Sequence, residues 1–289
     1  MTWIIASLIM FISSVIMYLL VRKAQSLKIT NSIVNIAMFL VPCPIYLTLM
    51  INQHRSFGIG TFNLFTIFLA AFFFSYLGNV FSLKSIKMAS NPGYSLIISK
   101  SYVVFTSIAS IFLFQAPLTL KNSIAIGLIV GFSALIMINK QRQINKTIKN
   151  NNTGWLIYAF GAFFAWGGLA LASKYWLNIG IPITSRLFYL SMMVSAMIGS
   201  EIIITKQSLK LNKISLLFIL GIGILAMFFN LFMQIGYQYA SNPGYINAVN
   251  ASSISLVTLL AAFFFKDELN LQKIIGVLGV TGGLILLFI

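Results

Sequence analysis

The sequence predicts an all-α integral membrane protein whose ten transmembrane helices form two inverted five-helix repeats. Hydrophobic residues make up 59% of its 289 residues and charged residues only 8%, whereas about a quarter of a soluble domain is charged. Ten apolar runs are long enough to cross a bilayer, and one hexapeptide occurs once in each half of the chain. The composition therefore predicts a membrane protein, and the apolar runs predict membrane-spanning helices. The repeated hexapeptide predicts an internal repeat.

The ten apolar runs define the elements in chain order. A hydrocarbon core needs about 20 residues of helix, and these runs are far longer than the strands of a membrane barrel. No basic segment precedes the first run, so we expect a retained helix instead of a cleaved signal. The runs cover residues 2–21, 32–51, 61–83, 92–114, 122–139, 154–174, 182–203, 214–238, 243–265 and 271–289.

The repeated hexapeptide sets the domain organisation. Residues 89–94, Ala-Ser-Asn-Pro-Gly-Tyr, recur as residues 240–245. This spacing predicts a first repeat over 1–139, a basic linker over 140–153 and a second repeat over 154–289. Because each repeat holds an odd number of crossings, the second repeat should cross the membrane in the opposite sense. Two such halves are the usual plan of secondary transporters, with the site between them.

The positive charge indicates a membrane orientation and not a nucleic-acid partner. The formal net charge is +16, but the lysines and arginines lie in short breaks between apolar runs and form no basic face. Most of them flank the odd-numbered connections. The positive-inside rule then places these connections in the cytoplasm, both termini outside, and the protein in the cytoplasmic membrane.

The reactive side chains are too few for most catalytic or metal chemistry. Cys43 has no second cysteine to pair with, and His54 with three acids cannot build a metal cluster. We therefore predict no cofactor and no metal, and a membrane enzyme is the weakest of the functional hypotheses.

Two features resemble a known family. Asn-Pro-Gly precedes the fourth and ninth helices, and residues 266–276 give an acidic pair, a short polar turn, Gln272 and Gly276. This combination resembles the drug/metabolite transporter superfamily, of the EamA-like type. The resemblance implies ten helices around a central cavity lined by helices one, three, four, six, eight and nine. It also implies cytoplasmic termini, so the family and the charges give opposite orientations. Pro117 stands where the first half would carry the acidic turn residue.

The two Asn-Pro-Gly segments have two interpretations. Asn can cap a helix, Pro suits its first position, and Gly allows close backbone approach, so capping alone explains each residue. Alternatively these segments are hinges whose helix N-termini attract an anionic group. The residues concerned are Asn91, Pro92, Gly93, Asn242, Pro243 and Gly244.

Lys100 is the principal candidate for substrate binding. It follows Asn91 by nine residues, which places it roughly 13 Å into a core about 30 Å thick. Its side chain reaches only about 6 Å, so snorkelling to the interface is disfavoured. A lysine at this depth normally faces the bundle interior or a wet cavity.

Neutral polar and aromatic side chains complete the predicted substrate site. The amides could orient a carboxylate or zwitterion held by Lys100, or could equally join helices as hydrogen-bonding glue. A mid-span tryptophan could stack on substrate, although packing is its commoner role. These candidates are Asn79, Asn230, Gln234, Asn247, Asn250 and Trp166.

Other polar groups are expected near the membrane surfaces. Arg186 and Lys174 lie near run ends, and we expect both at the non-cytoplasmic interface. Trp155 and Trp176 bracket the sixth run as interfacial anchors. All three acids fall near the cytoplasmic rim, which disfavours cation-for-proton antiport.

The leading hypothesis is a secondary transporter of a small organic solute, an amino acid or another carboxylate, working by alternating access. A lipid flippase or an accessory subunit is the alternative. The expected partners are the solute and membrane lipids, and no nucleic acid. A homodimer through Gly276, Gly279, Gly282 and Gly283 is a further hypothesis, beside packing of these glycines within the chain.

Overall fold

The computed structural model describes residues 2–89, 92–138, 154–207 and 211–289, and these residues form helices without any strand. The predicted linker over 140–153 lies outside the described residues. The α-helices are α1 Trp3–Ser26, α2 Asn31–Leu40, α3 Pro42–Asn52, α4 Thr61–Ala70, α5 Leu77–Met88, α6 Pro92–Lys100, α7 Tyr102–Phe114, α8 Leu120–Met137, α9 Gly154–Asn178, α10 Ile183–Ile204, α11 Lys213–Tyr239, α12 Pro243–Phe265 and α13 Leu271–Phe288; a π-helix covers Ala71–Tyr76 between α4 and α5.

These helices build ten spans, as predicted. Ten segments of the described chain are long and apolar enough to cross a membrane, from Trp3–Ala24 to Leu271–Phe288. The predicted second, third and fourth helices are not regular along their length. The second breaks at Pro42, which lacks the N–H that a continuous helix needs. The third contains the π-helix and extends to Met88, and the fourth breaks at Ser101.

The helix surfaces carry large apolar side chains outward. Phe112, Phe263 and Ile157 are 80%, 78% and 75% exposed. A water-soluble protein rarely exposes contiguous apolar surface of this kind, whereas lipid is the natural contact for it. The chain is therefore a multi-pass membrane protein.

Contacts divide the chain into two units that each draw on both sequence halves. The first unit comprises Met1–Tyr76 and Ala172–Ser241, and the second comprises Leu77–Leu171 and Asn242–Ile289. The sequence repeat and these units are thus different divisions of one chain, and α9 contributes residues to both units.

The first unit is built on α10 and α11. Helix α11 packs along α1 and α2, and α10 packs on α2, α3 and the π-helix. One apolar core joins Ile33, Ala37 and Ile222, and another joins Tyr46, Leu187 and Met227. The Tyr46 hydroxyl donates to the Met227 carbonyl oxygen at 3.0 Å, which satisfies the buried phenol.

The second unit is centred on α12, which packs on α7, α8 and α13. Every residue from Asn242 to Ser253 is buried, although this stretch is rich in Asn and Ser. A polar helix segment buried on all sides must find its hydrogen-bond partners inside the protein. The start of α12 is therefore the polar interior of this unit.

Glycines of α13 bring it close to α8. A β-carbon on Gly276, Gly279 or Gly283 would collide with side chains of α8, whereas one on Gly282 would meet open space. Three of the four glycines of the dimer hypothesis therefore serve helix packing within the chain.

Candidate functional site

Lys100 is the last residue of α6, directly before a break in the helix. Ser101 separates α6 from α7, and the Val104 amide donates to the Ser101 carbonyl oxygen at 2.9 Å in a three-residue turn. Irregular backbone at membrane depth is tolerated where protein or a cavity surrounds it. The half-buried Lys100 side chain therefore belongs to the residue next to the break in its span.

Two aromatic rings lie next to Lys100. Its Nζ is 5.0 Å from the ring centroid of Trp166, within range of a cation–π interaction. Tyr102 packs edge-on against the same indole, with the ring centroids 6.1 Å apart. The structure therefore brings together Lys100 and Trp166, both predicted as site residues.

Two asparagines of α12 form hydrogen bonds with α7. The Asn250 Nδ2 donates to the Tyr102 hydroxyl at 3.5 Å, and the Asn247 Nδ2 donates to the Thr106 hydroxyl at 3.0 Å. Both asparagines are buried. The chain of contacts Lys100, Trp166, Tyr102 and Asn250 links α6, α7, α9 and α12.

Two buried polar atoms of this cluster have no hydrogen-bond partner among the described residues: the Asn250 Oδ1 and the Ser133 Oγ. Ser133 shares a cavity of about 10 Å³ with Lys100, Ser101 and Ala251. That space is at the lower limit for one water molecule. A buried polar atom without a partner is costly, and a bound polar group can satisfy it.

An apolar groove lies beside the cluster. It has a volume of about 530 Å³ and lies between α7 and α9. Its lining is almost wholly apolar and consists of Ser101, Val104, Phe105, Ile108, Ala109 and Phe163. Ser101 contacts both this groove and the small cavity at Lys100.

The second Asn-Pro-Gly segment caps α12. The Asn242 Oδ1 accepts from the Gly244 amide at 2.8 Å, and the Asn242 Nδ2 donates to the Ser107 carbonyl oxygen at 3.1 Å. Pro243 is the first residue of α12. A β-carbon on Gly244 would collide with Ser107. In the first segment Pro92 begins α6, and Asn91 lies outside the described residues.

The other predicted amides lie elsewhere. Asn79 is half-buried on α5 of the second unit, and Asn230 donates to the Ala226 carbonyl oxygen of its own helix at 2.9 Å. Gln234, in the first unit, accepts from Arg186 at 2.7 Å and donates to the Ser173 hydroxyl at 3.3 Å. Asn230 and Gln234 therefore belong to the first unit, whereas Lys100 belongs to the second.

The expected interfacial positions of Arg186 and Trp176 are wrong. Arg186 is 1% exposed and Trp176 is 2% exposed. The guanidinium carbon lies 5.7 Å from the indole centroid, and the Trp176 Nε1 donates to the Thr66 hydroxyl at 3.2 Å. Position near the end of an apolar run did not reveal that both side chains turn into the first unit.

Sequence reasoning missed Tyr102, Thr106 and Ser133. Tyr102 and Thr106 follow Lys100 by two and six residues, but a break at Ser101 shifts the helical register that would relate them. Ser133 lies on α8, far away in sequence, and its position beside Lys100 depends on packing alone.

The comparisons with known proteins agree with this architecture. A crystal structure of a protein matches with a TM-score of 0.78 at 13% identity, covering 98% of this chain and 96% of that one. That likeness shows the fold, and it confirms the all-α ten-helix prediction. No curated protein sequence matches the chain.

The family comparison covers the second half. Residues 153–289 match the EamA-like transporter family, which belongs to the drug/metabolite transporter superfamily. The match includes the acidic turn and Gln272, from which the resemblance was drawn. It supports a membrane transporter of small solutes. Residues 153–289 are thus similar to the EamA-like transporter family, the resemblance that the sequence motifs indicated.

Proposed function

We propose that this protein transports a small carboxylate-bearing metabolite, such as an amino acid, across the cytoplasmic membrane by alternating access of two inverted repeats. The single observation that carries the proposal is the half-buried Lys100 at a helix break, beside Trp166 and buried polar atoms without partners. The family match supports the transport activity.

Lys100 is suited to hold the anionic group. A lysine inside a membrane helix costs about 2.5 to 3.5 kcal/mol to insert. A cation–π contact returns only about 0.5 to 2 kcal/mol. A bound carboxylate would lower the cost of holding the charge at this depth further than the Trp166 contact does. Trp166 could also stack on the solute.

Neighbouring polar groups favour an amphoteric solute. The Asn250 Oδ1 can only accept hydrogen bonds, and it lacks a donor among the described side chains and backbone. An ammonium group on the solute would supply that donor while its carboxylate contacts Lys100. Both asparagines already donate to α7, but the unpartnered Oδ1 makes Asn250 the better candidate for orienting the solute. No step of this function requires catalysis.

Lipid movement is the second candidate, because one specific observation favours it. The apolar groove of about 530 Å³ between α7 and α9 could hold an acyl chain, with Lys100 near a headgroup. Transport of a soluble metabolite does not need such a groove. A lipid cargo would need both features, because the groove would hold its acyl chain and Lys100 would contact its headgroup.

The test combines binding and transport by purified protein. A thermal-shift screen of amino acids and small carboxylates should identify a stabilising solute, since a ligand of the folded state raises Tm. The protein in proteoliposomes should then exchange that solute. Lys100→Gln should abolish exchange, whereas Lys84→Gln should not.

Lys84 is the matched control. It lies in the same unit and also contacts an aromatic ring, with its Nζ 4.3 Å from the Tyr158 centroid, but it is exposed. Undiminished exchange by Lys100→Gln would refute the site. Movement of a fluorescent phospholipid without exchange of any solute would support the lipid candidate instead.

A further inference from the structure

Arg186 is a buried cation that no carboxylate of its own unit can neutralise. Glu201 is the one acidic residue in the sequence of the first unit. It lies fifteen residues further along α10, roughly 22 Å away along the helix axis. Its carboxylate accepts instead from the Tyr76 hydroxyl at 3.0 Å. The charge on Arg186 is therefore without a counter-ion inside the unit.

The hydrogen bonds of Arg186 involve two of its three guanidinium nitrogens. Its Nη1 donates to the Ser173 carbonyl oxygen at 2.6 Å and its Nη2 to the Gln234 Oε1 at 2.7 Å. Both acceptors are neutral. The Nε has no hydrogen-bond partner among the described residues, although the side chain is only 1% exposed. An unsatisfied charged donor in a buried site is costly, and an anion is its best partner.

The start of α10 adds positive potential at this point. Arg186 lies in the first helical turn, where Pro182 precedes the helix and no side chain caps it. The N-terminal end of a helix dipole is positive, so a cation there is unfavourable and an anion is favoured. The helix therefore increases the need for a counter-ion at Arg186.

Lys174 shows how a neighbouring cation is satisfied without an anion. Its Nζ donates to the carbonyl oxygens of Tyr237 and Ala240 at 2.8 and 3.2 Å. These carbonyls end α11, and the C-terminal end of a helix dipole is negative. Lys174 thus stabilises a helix end, and its environment is the reverse of that of Arg186.

We propose that Arg186 is a binding site for a small monovalent anion, a halide or a short carboxylate such as formate, held at its Nε–H. The near-complete burial of Arg186 restricts the site to a small ion. Gln234 and the Ser173 carbonyl oxygen fix the guanidinium plane, and Trp176 packs beside it. The site does not depend on the cargo proposed for Lys100, which belongs to the other unit.

Trp176 provides a direct optical test. We would replace the other three tryptophans by Trp3→Phe, Trp155→Phe and Trp166→Phe, and titrate the purified protein with iodide at constant ionic strength, using bulky gluconate as the balancing anion. Iodide quenches indole fluorescence only at close range, and Trp176 is 2% exposed. We expect saturable quenching that chloride or formate reverses by competition.

Variants separate the site from general salt effects. Arg186→Gln should abolish the saturable quenching, and Lys174→Met should retain it. If Arg186→Gln does not fold, the parent protein still tests the proposal, because chloride replacing gluconate should raise its Tm by roughly 2–4 °C at saturation. If formate raises the Tm and the halides do not, the site is assigned to short carboxylates.

The proposal would be overturned by quenching that is linear in iodide and by a Tm indifferent to chloride and formate. It would equally be overturned by saturable quenching that Arg186→Gln leaves unchanged. Loss of solute exchange in Lys100→Gln with intact iodide binding would leave this site standing, so the two proposals fail separately.

Discussion

The Nζ of Lys100 lies 5.0 Å from the indole centroid of Trp166, at the residue where α6 ends. A cation, a ring and a helix break therefore coincide in the second unit. Two variants of this pair test whether the contact serves a solute or serves the fold.

Lys100→Gln should unfold at a Tm equal to or higher than that of the unsubstituted protein. Neutralisation removes the insertion cost of the charge, about 2.5 to 3.5 kcal/mol, and the glutamine amide can still form hydrogen bonds inside the bundle. Thermal unfolding in detergent measures this, with Lys84→Gln as the exposed control. A Tm several degrees lower would show that Lys100 is a structural residue.

Trp166→Leu should weaken solute binding by roughly 2- to 30-fold, the equivalent of one cation–π contact. Trp166→Phe should weaken it less, because a ring is retained. Titration of the solute against both variants gives the two dissociation constants. Equal affinity in Trp166→Leu and the parent would remove the tryptophan from the site.

The charge distribution predicts that the linker over residues 140–153 is cytoplasmic. Single cysteines in this segment, in a Cys43→Ser background, should resist an impermeant maleimide in intact cells and react after permeabilisation. Gly58→Cys in the same background, within the second connection, should react from outside. The opposite pattern would restore the family's usual orientation, with cytoplasmic termini.

Gly244→Ala should destabilise the protein by about 1 to 3 kcal/mol, the usual cost of overpacking. The added methyl group would collide with Ser107, where α7 and α12 meet. Gly131→Ala is the control, since a β-carbon there meets no atom within 4 Å and alanine favours helix. Equal Tm values for both variants would contradict close α7–α12 packing.

At Gln272, a substitution that introduces a negative charge should lower the Tm more than one that only removes the hydrogen bonds. Its Nε2 donates to the carbonyl oxygens of Leu135 and Ile138, both at 2.7 Å, at the end of α8. Gln272→Leu loses these bonds, which should lower the free energy of unfolding by about 1 to 3 kcal/mol. Gln272→Glu also places a carboxylate against two carbonyls, so its Tm should be the lower one. The reverse order would rule out this contact.

Several features of the candidate site were predictable from local sequence. Lys100 and Trp166 stand out because a cation and a large ring inside apolar runs are rare, and their expected depth comes from counting residues. Asn242, Pro243 and Gly244 identify a helix start from residue type alone. These inferences need only the helix rise and the chemistry of each side chain.

The pairing of side chains across helices was not predictable in the same way. Sequence did not indicate whether Gln234 would contact Arg186 or Asn230, because the rotation of each helix about its axis depends on packing against its neighbours. The interfacial position expected for Arg186 was wrong for this reason. A charged side chain near the end of an apolar run can extend to water or turn into the protein. Its direction depends on the side chains of the helices packed against it.

By itself the sequence determined the membrane location and the ten spans, because apolar length and composition decide whether a segment enters lipid. Its motifs also indicated the likeness of the second half to the EamA-like family. Only the tertiary structure decided that Ser133 lines a small cavity with Lys100, that Arg186 is buried beside Trp176, and that three spans are irregular. The physical reason is that packing within a membrane protein depends on shape and on hydrogen bonds between helices, which residues distant in the chain supply together.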